Sequence, residues 1–221
     1  MGGMNVRRIA VSLLFCLVLC CGLYAGTVGY VYGNNISSAD MAGVARGQVY
    51  TDSDGNILIT RKTAGEIVLF DILVSRTGIQ KGSELTSRSS FKTLSAWGGL
   101  NHTVASFSMT TGLYPFNPIV MVGVTYGNET GTMALILAGA EVVVPLARLW
   151  DSSNTLIRNG KFTGSGAVGV GIGSSTMFAS NYCFGYRHNI GTFCWEAGFS
   201  WLRLSDSISV WTPYAGIGVC F

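Results

Sequence analysis

Large apolar side chains fall at every second position near the end of the chain. In GTFCWEAGFSWLRL, Phe193, Trp195, Ala197, Phe199 and Trp201 share one parity, and Cys194, Glu196, Gly198 and Ser200 take the other. The closing stretch repeats the pattern, with Trp211, Ala215, Ile217, Val219 and Phe221 set against Tyr214, Gly216, Gly218 and Cys220. A period of two sends successive side chains to opposite faces of a strand. The same period predicts strands over 102–113, 119–127, 132–143, 162–173, 176–187, 192–204 and 208–221. Turn-forming stretches such as YPFNP, NETG and SDS separate several of them. An eighth strand, GTVGYVY at 26–32, leaves 33–101 as a long insertion. That insertion holds a hairpin signal, VYTDSDGNILITRK, with Asp54-Gly55 at its turn, and the apolar run EIVLFDILV. If these two segments join the wall, the count becomes ten, which is still even.

The environment of the aromatic face follows from what the chain lacks. The longest candidate for a spanning helix, 133–150, carries Glu141 in mid-run and Pro145 soon after, and it falls short of about 20 clean apolar residues. Only helices and closed barrels satisfy every backbone group inside lipid. The fold expected is therefore all-β: a small transmembrane antiparallel barrel of eight strands, ten being the alternative. Its aromatic parity would meet lipid and its Gly, Ser and Glu parity would fill the lumen. Segment 145–161 is the awkward piece. Counted in eight strands it falls at the inner end, where turns are usually short, so either it holds a short inner helix or the count is off by a strand.

Composition agrees with this reading. Apolar residues make up 48% of the chain and charged residues only 11%, against about 25% in ordinary soluble domains. Thirty glycines and 25 aromatic residues accompany four prolines. The N-terminal stretch MNVRRIAVSLLFCLVLCCGLYAG has two arginines, an apolar run and small residues after it, the layout of a secretory signal peptide over 1–25 cut after Ala25. An uncleaved anchor, or a lipoprotein cut before Cys20 or Cys21, would use the same residues. Removing Arg7 and Arg8 leaves twelve basic residues against eleven acidic, which gives no ground for a nucleic-acid partner. Seven of those twelve lie in 33–101, marking it as polar and exposed.

The leader, the glycine-rich strand AVGVGIG and the ending TPYAGIGVCF resemble the small outer-membrane barrels of the OmpW-like and opacity-protein group. The resemblance implies localisation in the cell outer membrane. It also implies a terminal signal for the barrel-assembly machinery carried by Tyr214, Ile217, Val219 and Phe221. The function it implies is a narrow channel or binding conduit for small, hydrophobic solutes. The alternative is a non-conducting, surface-exposed barrel that binds host molecules through its loops. An eight-stranded barrel closes on its own, so no oligomer is required.

Parity assigns Glu141, Asn181, Arg187 and Glu196 to the lumen. A charge facing lipid costs a few kcal/mol at midplane, and small barrels have filled interiors, so an interior ionic plug is expected over a substrate site. If the turn between the strands over 176–187 and 192–204 is centred on His188 and Asn189, Cys183 faces Cys194 and a cross-strand disulfide is expected. Catalysis has little support, because His102 and His188 are the only histidines and neither has an acidic neighbour in sequence. No zinc-type Cys or His spacing exists, and the glycine runs lack the strand–loop–helix setting of a phosphate loop. No cofactor is expected.

Overall fold

The computed structural model describes residues 25–32, 35–41, 44–65, 67–88, 90–127, 131–150, 152–205 and 208–221. Apart from Ala25, the expected leader lies outside the described residues, as does most of the NETG turn. The chain runs through β1 (Ala25–Thr27), β2 (Tyr30–Tyr32), β3 (Asn35–Ser38), β4 (Val49–Thr51), β5 (Ile57–Ala64), β6 (Ile67–Val74) and β7 (Glu84–Arg88). It continues through β8 (Lys92–Gly99), β9 (His102–Met109), β10 (Phe116–Gly127) and β11 (Gly131–Pro145). A 3-10 turn (Leu146–Arg148) and a short helix α1 (Thr155–Arg158) precede β12 (Gly160–Ile172), β13 (Thr176–Ile190), β14 (Phe193–Leu204) and β15 (Ile208–Cys220).

Strands β8 to β15 form a closed antiparallel barrel of eight strands. Each pairs with its sequence neighbour, and β15 returns to β8 through a ladder from Tyr214↔Gly99 to Cys220↔Thr93. The expected count therefore holds, with a different first strand. Segment 26–32 is not in the wall, and Lys92–Gly99, taken from within the expected insertion, is. The alternation in KTLSAWGG was disguised by small side chains: Thr93, Ser95 and Trp97 are buried while Leu94 and Ala96 are exposed. Two wall prolines sit where a missing N–H does least harm. Pro118 lies one residue before the β9–β10 ladder begins at Ile119, and Pro213 one residue before the β15–β8 ladder begins at Tyr214.

The outer face is apolar from end to end. Phe116, Val120, Val122, Ile136, Val168, Phe178, Phe184, Phe193, Phe199, Trp211 and Ile217 are all exposed there. Trp201 stacks on Trp211 and packs on Tyr182, with ring centroids 5.4 and 5.6 Å apart. Lys92 at one end and Arg203 near the other are the charged side chains at outward wall positions. At about 3.3 Å per residue and a tilt of about 40°, the 12 residues of β14 climb roughly 28 Å, close to the thickness of a hydrocarbon core. Among the described residues no helix is long and apolar enough to cross a membrane.

Residues 25–88 build a second, seven-stranded sheet in the order β1-β7-β4-β5-β6-β3-β2. Its two edges, β1 and β2, belong to one continuous segment bent at Val28-Gly29. Val28 exchanges hydrogen bonds with Gly82 and Ser83 on one side, and the Gly29 N–H donates to Ser37 on the other. The sheet thus curls around its own core, which includes Val28, Ile36, Tyr50, Leu58, Phe70 and Leu85.

Candidate functional site

The barrel interior is layered, and the inward parity of each strand sets the layers. Toward the end where β8 meets β9, β10 meets β11, β12 meets β13 and β14 meets β15, the filling is apolar: Val104, Met121, Met133, Leu135, Leu202 and Leu204 form one buried cluster with Trp97 and Tyr214. We call this the far end. Next to it lies a polar node. His102 Nε2 and Ser200 Oγ are 3.0 Å apart, and Ser200 donates to Asn181 Oδ1 at 2.8 Å. His102 Nδ1 has no partner, and Ser200 is wholly buried.

Toward the opposite end, Arg187 joins two carboxylates. Its Nη2 lies 2.7 Å from Glu141 Oε1 and 2.8 Å from Glu196 Oε2, and its Nε donates to that same Glu196 oxygen at 2.9 Å. Ser108 Oγ donates to Glu141 Oε2 at 2.9 Å, and Ser95 Oγ donates to Glu196 Oε1 at 3.0 Å. All four carboxylate oxygens therefore have a donor. Register explains the convergence: Arg187 faces Glu196 directly across β13–β14, while Glu141 reaches in from β11. The three charged residues are between 2% and 5% exposed, so no water route past them is open. Desolvation makes such a triad weak evidence for stability; its effect is to close the lumen.

Sequence parity found Glu141, Arg187 and Glu196 as a group, and the fold brings them together. Asn181 is inward as expected but belongs to the His102–Ser200 node. Lys161 was missed, because it stood at the end of the awkward segment. It is 2% exposed, with its ammonium 5.0 Å from the Phe91 ring centroid. It lines a cavity of about 10 Å³, room for about one water, together with Thr93, Asn117, Glu141 and Arg187. Lys161 also balances the interior, where two cationic side chains then face two anionic ones. Ser95 was missed because 92–99 was placed in the insertion, while Ser108 lay on a strand read correctly but without charges to draw attention.

The expected disulfide does not form. Gly191, at φ +62°, opens a two-residue turn with Thr192, and Ile190 pairs with Phe193. Glycine at the first position of such a turn matches the twist of a hairpin better than His188-Asn189 could. The register moves accordingly: Cys183 faces Ser200, Cys194 faces Asn189, and Cys183, Cys194 and Cys220 are all free. Because the shift preserves parity, the faces stay as read. Tyr182 still meets an outward aromatic, now Trp201, and Phe184 meets Phe199. Non-reducing peptide mapping by mass spectrometry is expected to find no link between Cys183 and Cys194; recovery of that linked pair would contradict this register.

Of the terminal residues, Ile217, Val219 and Phe221 point outward and are 74%, 37% and 46% exposed, while Tyr214 turns inward against Trp97. Phe221 also extends the wall by exchanging backbone hydrogen bonds with Lys92.

The curled sheet caps the end nearest the Arg187 triad. Val49, Ile57, Ile59, Leu73 and Val74 of the sheet share one buried cluster with Phe91, Tyr114, Cys194 and Cys220 of the barrel. Asn159 clasps Ser75 twice, accepting from its N–H at 2.7 Å and donating to its carbonyl at 3.0 Å. Tyr114, in the turn between β9 and β10, donates to Asp71 Oδ2 at 2.9 Å. Segment 145–161 explains itself here. Its 3-10 turn and α1 are the short helical pieces at this end, and they carry Arg148 and Asn159 to the sheet. Burial pushes the Asp71 carboxyl above its ordinary pKa, against the pull of the Tyr114 hydrogen bond and of Arg61, Arg148 and Arg46. Its carboxylate lies 3.4 Å from Arg61 and 3.9 Å from Arg148.

No protein-family model matches this sequence, and none of the curated proteins matches it either.

Proposed function

We propose that the chain is an outer-membrane β-barrel, exported by its leader, whose capped lumen is a gated conduit for small apolar solutes, shut in the state described. The observation that carries the membrane reading is the wall itself. Among the described residues, outward charge on the wall is confined to Lys92 and Arg203 at its two ends, while Glu141, Lys161, Arg187 and Glu196 all point inward. A soluble barrel has no reason to separate charge in that direction.

At the far end the connections between successive strands are two or three residues long, the part cheapest to carry across a bilayer. The sheet cap and the C-terminus then stay on the side from which the chain inserts, where Phe221, Val219, Ile217 and Tyr214 serve the assembly machinery. An apolar solute would be taken up by the far-end cluster, whose Met121 and Met133 are unbranched and adaptable. Passage would require the Arg187 triad and the cap to part. The chemistry proposed needs no enzyme activity and no cofactor, and the OmpW-like resemblance supports the apolar solute class.

The filled lumen also favours a second reading, a non-conducting barrel that binds molecules at the cell surface. The short far-end turns leave such a barrel little to bind with. The two separate in planar bilayers and liposomes. The conduit reading expects negligible ion conductance from the wild type, yet faster entry of a small apolar dye into liposomes than into protein-free controls. Dye entry equal to the control would leave the non-conducting reading.

A further inference from the structure

The junction between cap and wall carries exposed apolar and basic side chains. Leu113 is 73% exposed, and Leu149 and Trp150 are each 52% exposed. They lie over 110–115, between β9 and β10, and over 146–150, just after β11. Leu113 accepts a backbone hydrogen bond from Phe116, whose exposed side chain stands at the capped end of β10. Two guanidinium groups lie at one carboxylate there, and a third acts on it through its charge. Arg61 and Arg148 lie 3.4 and 3.9 Å from Asp71, and Arg46 is close enough to act on it through its charge.

The charge at this spot does not balance. Tyr114 spends its hydroxyl on Asp71, and among the described residues Asp71 is the one carboxylate within salt-bridge reach of Arg61 or Arg148. Arg148 and Arg46 are exposed, and Arg61 is partly so. Guanidinium forks match phosphate oxygens, and apolar side chains beside them match acyl chains. Leucine and tryptophan flanking arginine at the edge of an apolar wall are what an interface between hydrocarbon and headgroups would select.

We propose that Arg46, Arg61 and Arg148 form a binding site for the phosphate of an anionic glycerophospholipid, whose acyl chains lie along Leu113, Phe116, Leu149 and Trp150. The site rests on the membrane reading given above, with the capped end at the inner leaflet. Asp71 and Tyr114 position the arginines and do not touch the lipid. The lipid would bridge cap and wall, holding the lumen closed from outside.

Native mass spectrometry of the detergent-refolded full chain tests this, with refolding first verified by a heat-modifiable band on a gel. Absence of that band would fail the barrel reading and leave the site unaddressed by this sample; a second preparation in phosphatidylglycerol nanodiscs settles which of the two has failed. With folded protein, one phosphatidylglycerol is expected to be retained in preference to phosphatidylcholine. Retention should fall about fivefold for Arg46→Gln or Arg148→Gln, and roughly 25-fold for the pair, the ratio set by about 1 kcal/mol for each basic residue at such a surface. The variants should keep the wild-type heat shift. Equal retention by folded wild type and folded double variant would overturn the site. Displacement of the lipid by inorganic phosphate alone would assign it to a soluble anion and overturn the headgroup.

Discussion

Replacing Arg187 with methionine is expected to destabilise the barrel by about 3–5 kcal/mol, the largest effect of any single lumen substitution. Methionine matches the aliphatic length of arginine but leaves Glu141 and Glu196, 2% and 3% exposed, without their shared cation. Breaking a buried pair by removing one partner strands a charge in low dielectric, which costs more than the intact pair contributes. Ser95 and Ser108 would still donate to one oxygen of each carboxylate, and Lys161 would remain as the other interior cation. Adding Glu141→Gln and Glu196→Gln to the same variant removes the stranded charges and should recover most of the loss. Urea unfolding in phospholipid vesicles, followed by tryptophan fluorescence, measures both. An unchanged midpoint for Arg187→Met would mean that water reaches the carboxylates, and the lumen would then not be closed.

The second large effect belongs to the wall. Phe199 lies near mid-height, six residues from the start of β14 and five from its end, and is 58% exposed between Phe184 and Pro213. On the proposed membrane reading, Phe199→Lys places a cation at the bilayer midplane, where it costs about 2–4 kcal/mol. The same change at Phe193, beside the turn at the capped end, should cost only about 0–1 kcal/mol. The contrast between the two sites carries the test, since both are equally apolar and equally exposed aromatics, at 58% and 66%. In a soluble barrel neither lysine would be costly, and depth would not matter. Unfolding midpoints in vesicles that fall together, or do not fall at all, would contradict the lipid-facing wall.

How far the sequence could be read depended on contrast between the two faces of each strand. From residue 102 onward, Phe, Trp and Tyr against Gly, Ser and Glu made parity unmistakable, and every strand expected there is found. Where both faces are small the period vanished, which is why Lys92–Gly99 was lost in the insertion and its Ser95 with it. Segment 26–32 was misplaced for the opposite reason, since its period of two is real but serves the cap. Single-chain periodicity identifies a strand and cannot say which sheet receives it.

The lumen triad was legible because inward parity and charge coincide at Glu141, Arg187 and Glu196. Hairpin register was not, because it depends on which of two adjacent polar pairs makes the turn. Gly191 decided that, and with it the fate of Cys183 and Cys194. The cap could not have been anticipated as a lid. Its basic residues were read correctly as surface, but nothing local signals that Asp71 and Ser75 meet Tyr114 and Asn159.

The most direct test of the barrel as a membrane wall uses its own tryptophans. Trp195, Trp201 and Trp211 are at outward wall positions, whereas Trp97 is buried in the lumen. The chain would be refolded into vesicles whose lipids carry bromine along their acyl chains. Fluorescence of a variant that keeps only Trp201 and Trp211 is expected to be strongly quenched. Fluorescence of a variant that keeps only Trp97 should be quenched far less. Equal quenching of the two, or none of either, would contradict a lipid-facing wall around a closed lumen.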